Sequence, residues 1–242
     1  MTITGIVSAD EITLGADIWP TFNGEPGSES PGYMIEVAQK VFKAKGHTVN
    51  YKEVPWTRAI VTCRKGGITG VVGAAVGDAE DFVFPTESLG MLENFAFVLK
   101  DSTWKYDGAD SLAKVKIGLI QDYDYGKKVM NYLKKNKGSK QIQFVSGNDP
   151  LRKNILKLKA KRLDAVIEAK PVFEYTAKEL KLDGIFKSAG SDGEADPIYI
   201  AFSPKNPKSK EYAKLLSDGI IELRKSGELA KILAKYGQKD WK

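Results

Sequence analysis

One pattern occurs twice in this chain. Val49 to Gly73 and Ile142 to Glu168 each read strand, helix, strand over nearly equal lengths, with short apolar runs flanking a segment whose apolar residues recur three and four apart. Such units join parallel strands through a helical crossover, so the repeat commits the chain to α/β architecture. The match is in pattern and not in identity. With 242 residues the chain has room for two lobes, each burying its own core.

The rest of the chain extends each unit. Ile12, Leu14 and Ala16 alternate as a strand, the turn-rich "DIWPTFNGEPGSESPG" follows, and Met34, Val37, Ala38, Val41 and Phe42 recur at helical spacing up to Gly46. Trp56 to Lys65 reads as a helix and "ITGVV" as a strand, giving β-α-β-α-β at the start of the chain. "KVKIGLI" opens the second lobe as a strand, with Val129, Tyr132 and Leu133 marking its first helix. "ENFAFVLKDS" and "DPIYIAFSPKNP" are extended apolar segments placed to cross between lobes, and two crossings make a hinge. Tyr212, Leu215, Leu216 and Leu223, then "GELAKILAKYG", mark two closing helices. The expected division is lobe 1 over 10–96 plus 200–242 and lobe 2 over 97–199, with 1–9 as a secretory-signal remnant or tag; Val7 and Ala9 stand at the small-residue positions before a cut.

Composition narrows the function. The net charge of +6 comes from 37 Lys and Arg against 31 Asp and Glu, but the lysines are spread over every amphipathic segment, which argues against a nucleic-acid partner. No apolar run is long enough to span a bilayer. Cys63 is the only cysteine, so the chain has neither an intramolecular disulfide nor a cysteine zinc site. Nucleophile-elbow, Walker, dinucleotide and His-Glu-x-x-His motifs are all absent. His47, the single histidine, follows a helix-ending glycine and is expected at a surface turn. These readings give no catalytic residue, no metal ligand and no cofactor.

In open α/β sheets, ligands bind beyond the carboxyl ends of the strands. That rule selects "ADIWPTF", "VPWTRA", "VGAAVGD", "QDYDYG", "SGNDPLR" and "IEAKP", which carry Trp19, Phe22, Trp56, Tyr123 and Tyr125. A cleft walled by aromatics with a few charges suits a small molecule. Each residue also has a plainer role: Trp19 as cover for a core edge, Trp56 as a core or staple residue, Arg58 as a solvated charge, Asp17 as a turn cap, and Asp124 and Asp149 as helix N-caps. The stretch "AAVGDAED" places Asp78, Glu80 and Asp81 in a segment with no cation between Lys65 and Lys100. They read as a solvated rim or, alternatively, as ligand contacts.

"LGADIWPTFNG", "PGYMIEVAQKVFKAKG", "VPWTRAI", "GGITGVVGAA", "KRLDAVIEAKPV" and "YIAFSPKNPKSKEYAKLLSDGIIELRKSGELAKILAKYG", in that order, resemble the type II periplasmic solute-binding proteins of the polar amino-acid uptake class, also called bacterial extracellular solute-binding protein family 3. The resemblance covers about residues 10 to 242. It implies two lobes with mixed, mostly parallel sheets joined by a two-strand hinge. It also implies a monomer in the periplasm or outside the cell that captures a small polar solute by hinge closure and delivers it to an ABC transporter permease. By position, Asp17, Trp19, Phe22, Trp56, Arg58, Gly73, Ala74 and Ala75 would line one wall, and Tyr123, Asp124, Tyr125, Glu168, Ala169 and Lys170 the other.

Two departures matter. Where the family's amino-acid binders carry an arginine for the ligand carboxylate, this chain has "AAVGDAED"; where they carry an aspartate for the ammonium group, it has Ala169 beside Glu168. Arg58 could take the carboxylate, with Asp17 or Glu168 taking the amine. Alternatively the ligand is not an α-amino acid, a cationic solute included, or the site has been lost or altered. An enzyme on the same scaffold, such as a cyclohexadienyl dehydratase-like lyase, and a ligand-sensing domain are the competing functions.

Overall fold

The computed structural model describes residues 9–242. Apart from Ala9, the signal-remnant expectation therefore lies outside the described residues. The described residues divide into two compact units: residues 9–54, Arg58–Gly90 and Tyr199–Lys242 form the first, and Pro55–Thr57 with Met91–Ile198 form the second.

The chain begins with β1 (Glu11–Ala16), α1 (Tyr33–Ala44), β2 (Thr48–Glu53), α2 (Trp56–Arg64, of which Trp56 and Thr57 belong to the second unit) and β3 (Gly70–Ala74), followed by the short β4 (Gly90–Leu92). The second unit runs through β5 (Asn94–Leu99), β6 (Ile117–Ile120), α3 (Lys127–Lys135), β7 (Ile142–Val145), α4 (Pro150–Lys159), β8 (Ala165–Ala169), α5 (Lys170–Glu179) and β9 (Phe186–Ser191). β10 (Asp196–Phe202) leads back to α6 (Ser209–Lys225) and α7 (Glu228–Lys235).

Two five-stranded sheets result, ordered β2-β1-β3-β10-β4 and β7-β6-β8-β5-β9. β1 pairs in parallel with β2 and β3, and β6 with β7 and β8, as the crossover helices require. β10 runs antiparallel to β3, and β5 antiparallel to both β8 and β9, so both sheets are mixed. Buried strands carry the apolar runs: all of β6 and β8 is buried, because helices cover both faces of a parallel core. α1 buries Met34, Val37, Ala38, Val41 and Phe42, as their spacing predicts.

His47 departs from expectation. Gly46 does end α1, with φ at 86°, but the turn sends the chain inward and His47 is only 3% exposed. Its Nδ1 accepts the Asp10 N–H at 3.2 Å, and its ring meets the edges of Phe42 and Tyr212. Tyr212, on α6, lies far along the chain, so no local pattern around His47 announces this burial. Lys208 holds the Asp10 carboxylate at 2.6 and 2.7 Å, and the Tyr212 hydroxyl donates to it at 3.0 Å.

Candidate functional site

In the first unit the loop after β1 is built around a small closed turn. Trp19 and Asn23 exchange backbone hydrogen bonds of 2.8 and 2.9 Å across Pro20, Thr21 and Phe22. Thr21 adopts a φ of 74°, a left-handed conformation that a β-branched residue holds only when its surroundings fix it. The Trp19 and Phe22 rings stack at 4.2 Å. The buried Asn23 side chain donates through Nδ2 to the Asp17 carbonyl at 2.6 Å, which closes the loop onto the end of β1.

This loop lies against β3, the strand next to β1. Gly73 has a φ of 86°, and a β-carbon there would sit 3.3 Å from the Trp19 ring. A glycine therefore serves both the backbone conformation and the close approach. Asp17, Trp19 and Gly73 thus gather at the carboxyl ends of two adjacent parallel strands, where ligands of open α/β sheets bind. Phe22, only 4% exposed, backs Trp19.

Ala74 and Ala75 are buried, and the Ala75 amide is already engaged, donating to Asp78 Oδ2 at 2.7 Å. Asp78 thus serves the backbone of its own loop. Asp81 is paired bidentately with Arg64 on α2, at 2.9 and 3.0 Å, so the cation for this acidic stretch lies just before it in sequence. That hydrogen-bonded guanidinium holds the Asp81 carboxyl below the usual range. Arg58 is exposed on α2.

Within the second unit, Trp56 Nε1 donates to the Asp122 carbonyl at 2.9 Å and the Trp56 ring meets the edge of Tyr123 at 5.8 Å. Tyr125 is 3% exposed and belongs to the apolar core. Its hydroxyl accepts the Ile120 N–H at 2.6 Å. Asp124 Oδ1 accepts the Gly126 N–H at 2.8 Å, tying the turn ahead of α3. Asp149 stands at the start of α4 in a left-handed conformation and makes no side-chain capping bond. Glu168 is 1% exposed and its Oε1 accepts the Ala169 N–H at 2.8 Å. Lys170 opens α5 on the surface, 3.9 Å from Glu174.

Sequence reading missed two groups of residues. Asn23 drew notice only as part of a turn-rich stretch, although it fixes the Trp19 loop. A small recess of the second unit is lined by Tyr106, Tyr125, Ser191, Asp192, Glu194 and Asp196. Burial, with the negative charges of Asp124 and Glu194, raises the Asp196 carboxyl. Asp192, Glu194 and Asp196 sit in a polar stretch whose fold depends on β9 pairing with β5, so no local periodicity marks it. Among the described residues no group of three or more His, Cys, Asp or Glu could hold a metal ion. No helix among them is long and apolar enough to cross a membrane.

A histidine kinase sensor domain with similarity to periplasmic binding proteins superposes with a TM-score of 0.77 at 19% identity, covering 93% of this chain and 95% of that one. The substrate-binding protein of an amino acid ABC transporter gives 0.74 at 19% identity, over 93% and 98% of the two chains. A Streptococcus mutans structure, described for glutathione import via GshT and the cystine ABC importer TcyBC, gives 0.74 at 22% identity over 96% and 97%. The fold is periplasmic-binding-protein-like. In this periplasmic-binding-protein-like chain the Trp19 loop and Gly73 occupy strand-end positions in one sheet, and Tyr123 and Asp124 follow a strand end in the other. No protein-family model and no curated protein sequence matches the chain.

Proposed function

We infer that the chain is an extracytoplasmic solute-binding protein of an ABC importer, a capture device that holds a small polar solute and presents it to a membrane permease without turning it over. The observation that carries this reading is the meeting of Asp17, Trp19 and Gly73 at the carboxyl ends of β1 and β3, in a fold shared with amino-acid-binding proteins. Trp19, 7% exposed, stacks on Phe22, and Gly73 lets the backbone of β3 come close to its ring. Asp17 adds a carboxylate, which favours a solute with a cationic group. Tyr123, Asp124, Trp56 and Arg58 are the further contacts proposed, with Glu168 and Lys170 at the end of β8.

The test is a thermal-shift screen of the purified protein against amino acids, oligopeptides, polyamines and quaternary amines, paired with native mass spectrometry for a co-purified compound. A solute at 100 times its Kd should add about 2.7 kcal/mol of stability. A flat response across the panel, with no bound compound by mass, would overturn the reading. A second reading, a ligand-sensing domain, is favoured by the likeness to a histidine kinase sensor domain. It predicts the same solute binding but no stimulation of transport by a reconstituted permease.

A further inference from the structure

The loop carrying Trp19 rests on the start of α1. Tyr33 N–H donates to the Thr21 carbonyl and Met34 N–H to the Phe22 carbonyl, each at 3.0 Å. Gly32, with φ at 99°, lies so close that a β-carbon would come within 2.4 Å of the Phe22 carbonyl oxygen and 2.5 Å of Asn23 Cα. Phe22 also packs on Tyr33 at 5.6 Å. The start of α1 is held in turn by a segment from the other end of the chain. The Tyr236 hydroxyl accepts the Gly32 N–H at 3.2 Å and donates to Glu36 at 2.6 Å. Tyr33 meets Tyr236 at 6.4 Å and Trp241 at 6.3 Å.

Beyond Tyr33, the same segment has its own anchors. Arg224 grips Asp240 at 2.8 and 3.1 Å and Glu87 at 3.2 Å, and its guanidinium stands 5.4 Å from the Trp241 ring. Lys242 reaches Glu87 at 2.6 Å. A continuous line of rings therefore runs from Trp241 through Tyr33 and Phe22 to Trp19. A loop holding a left-handed Thr21 and a single backbone bridge keeps its shape only through what it packs on.

The geometry points to Tyr236 and Trp241 as positioning residues: the segment 236–242 clasps the start of α1 and thereby sets the orientation of Trp19 in the candidate solute wall. The use of that wall for solute rests on the function proposed above; the mechanical link does not. Core packing alone would make loss of Trp241 loosen the first unit as a whole. A clasp makes it loosen one connected path.

The test uses the full chain labelled with 5-fluorotryptophan, its four fluorine resonances assigned by single Trp→Phe substitutions. In Trp241→Ala the Trp19 resonance should shift or broaden while those of Trp56 and Trp104 stay. Amide exchange at 19–24 and 32–34 should speed up by about tenfold or more, with β10 and the body of α2 unchanged within about twofold. Tyr236→Phe removes only the hydroxyl and should accelerate the same amides; it decides the matter if Trp241→Ala does not fold. An unmoved Trp19 resonance with unchanged exchange, or a uniform acceleration across the first unit, overturns the clasp. Any solute that the wild-type screen identifies should bind Trp241→Ala about tenfold more weakly, mostly through a faster off-rate. If the screen finds none, the proposed function fails while the fluorine and exchange results still decide the clasp.

Discussion

Arg64 and Asp81 form a two-bond ion pair, at 2.9 and 3.0 Å, that ties α2 to the acidic loop after β3. The Arg64 guanidinium also lies 5.2 Å from the centre of the Phe82 ring. Both side chains are nearly half exposed, at 41% and 47%, so solvent screening keeps the pair weak. A double-mutant cycle on Arg64→Ala and Asp81→Ala, read by urea denaturation, should give a coupling of about 0.2–1 kcal/mol that shrinks in high salt. A coupling several times larger, insensitive to salt, would show that the loop is held differently.

Two glycines should rank in a definite order. Gly73→Ala meets the Trp19 ring at 3.3 Å and Asn23 Oδ1 at 3.5 Å, both side-chain atoms, plus the strain of a φ of 86°, and should cost about 1–3 kcal/mol. Gly32→Ala drives a β-carbon into backbone at 2.4 to 2.7 Å, which cannot move aside as a side-chain tip can, and should cost more. Melting temperatures of the two variants check the order, and the reverse ranking would contradict the packing described.

Asn23 is 1% exposed and donates to the Asp17 carbonyl. Asn23→Asp removes that donor and sets a buried carboxylate against the Asp17 carbonyl that the amide had served. The variant should lose about 2–4 kcal/mol at neutral pH. Burial raises a carboxyl pKa, so the unfolded state of this variant gives up its proton first; stability should partly return as the pH falls and the buried group protonates. Denaturation curves at pH 7 and pH 5 test this, and an equal loss at both would argue against a charge penalty.

Asp10 carries the opposite sign. Its hydrogen bond to Lys208 is the largest cause holding its carboxyl below the usual range, with the Tyr212 hydroxyl bond acting in the same direction against desolvation. A depressed folded-state pKa gives stability that is fully present above the unfolded value, about 3.9, and is lost as pH falls through the lower folded value. Lys208→Met should flatten that part of the acid-unfolding profile. An unchanged slope in Lys208→Met between pH 5 and 2 would show that Asp10 is not linked to folding in this way.

The candidate site was only half legible in sequence, and particular residues show why. Trp19, Asp17 and Gly73 stand out because turn chemistry and strand ends are local signals. Tyr125 stands in the same kind of loop, yet its ring joins the apolar core and its hydroxyl serves the backbone of β6. Which way a loop aromatic turns depends on neighbouring strands that no local period describes. Asn23 works through a carbonyl six residues back and a loop packed on α1, so its role appears only when those parts meet.

The fold divides along the same line. Periods of 2 and 3.6 are properties of short segments, and they place β1, α1, β2, β6, α4 and β8, because each segment must put its own apolar residues on one face or on both. β9 escapes notice because its residues are mostly polar and half exposed, and α5 because Lys170 and Pro171 look like a loop. By itself the sequence determined the parallel β-α-β units, the lack of catalytic and metal-binding motifs and the loops where a ligand would be sought. Tertiary structure alone decided the antiparallel partners of β3 and β8, the burial of His47 between Phe42 and Tyr212, the engagement of Asp81 by Arg64 and the meeting of Tyr33 with Trp241. Most of these join residues far apart in the chain, and such contacts gain their energy only after the intervening chain has been ordered.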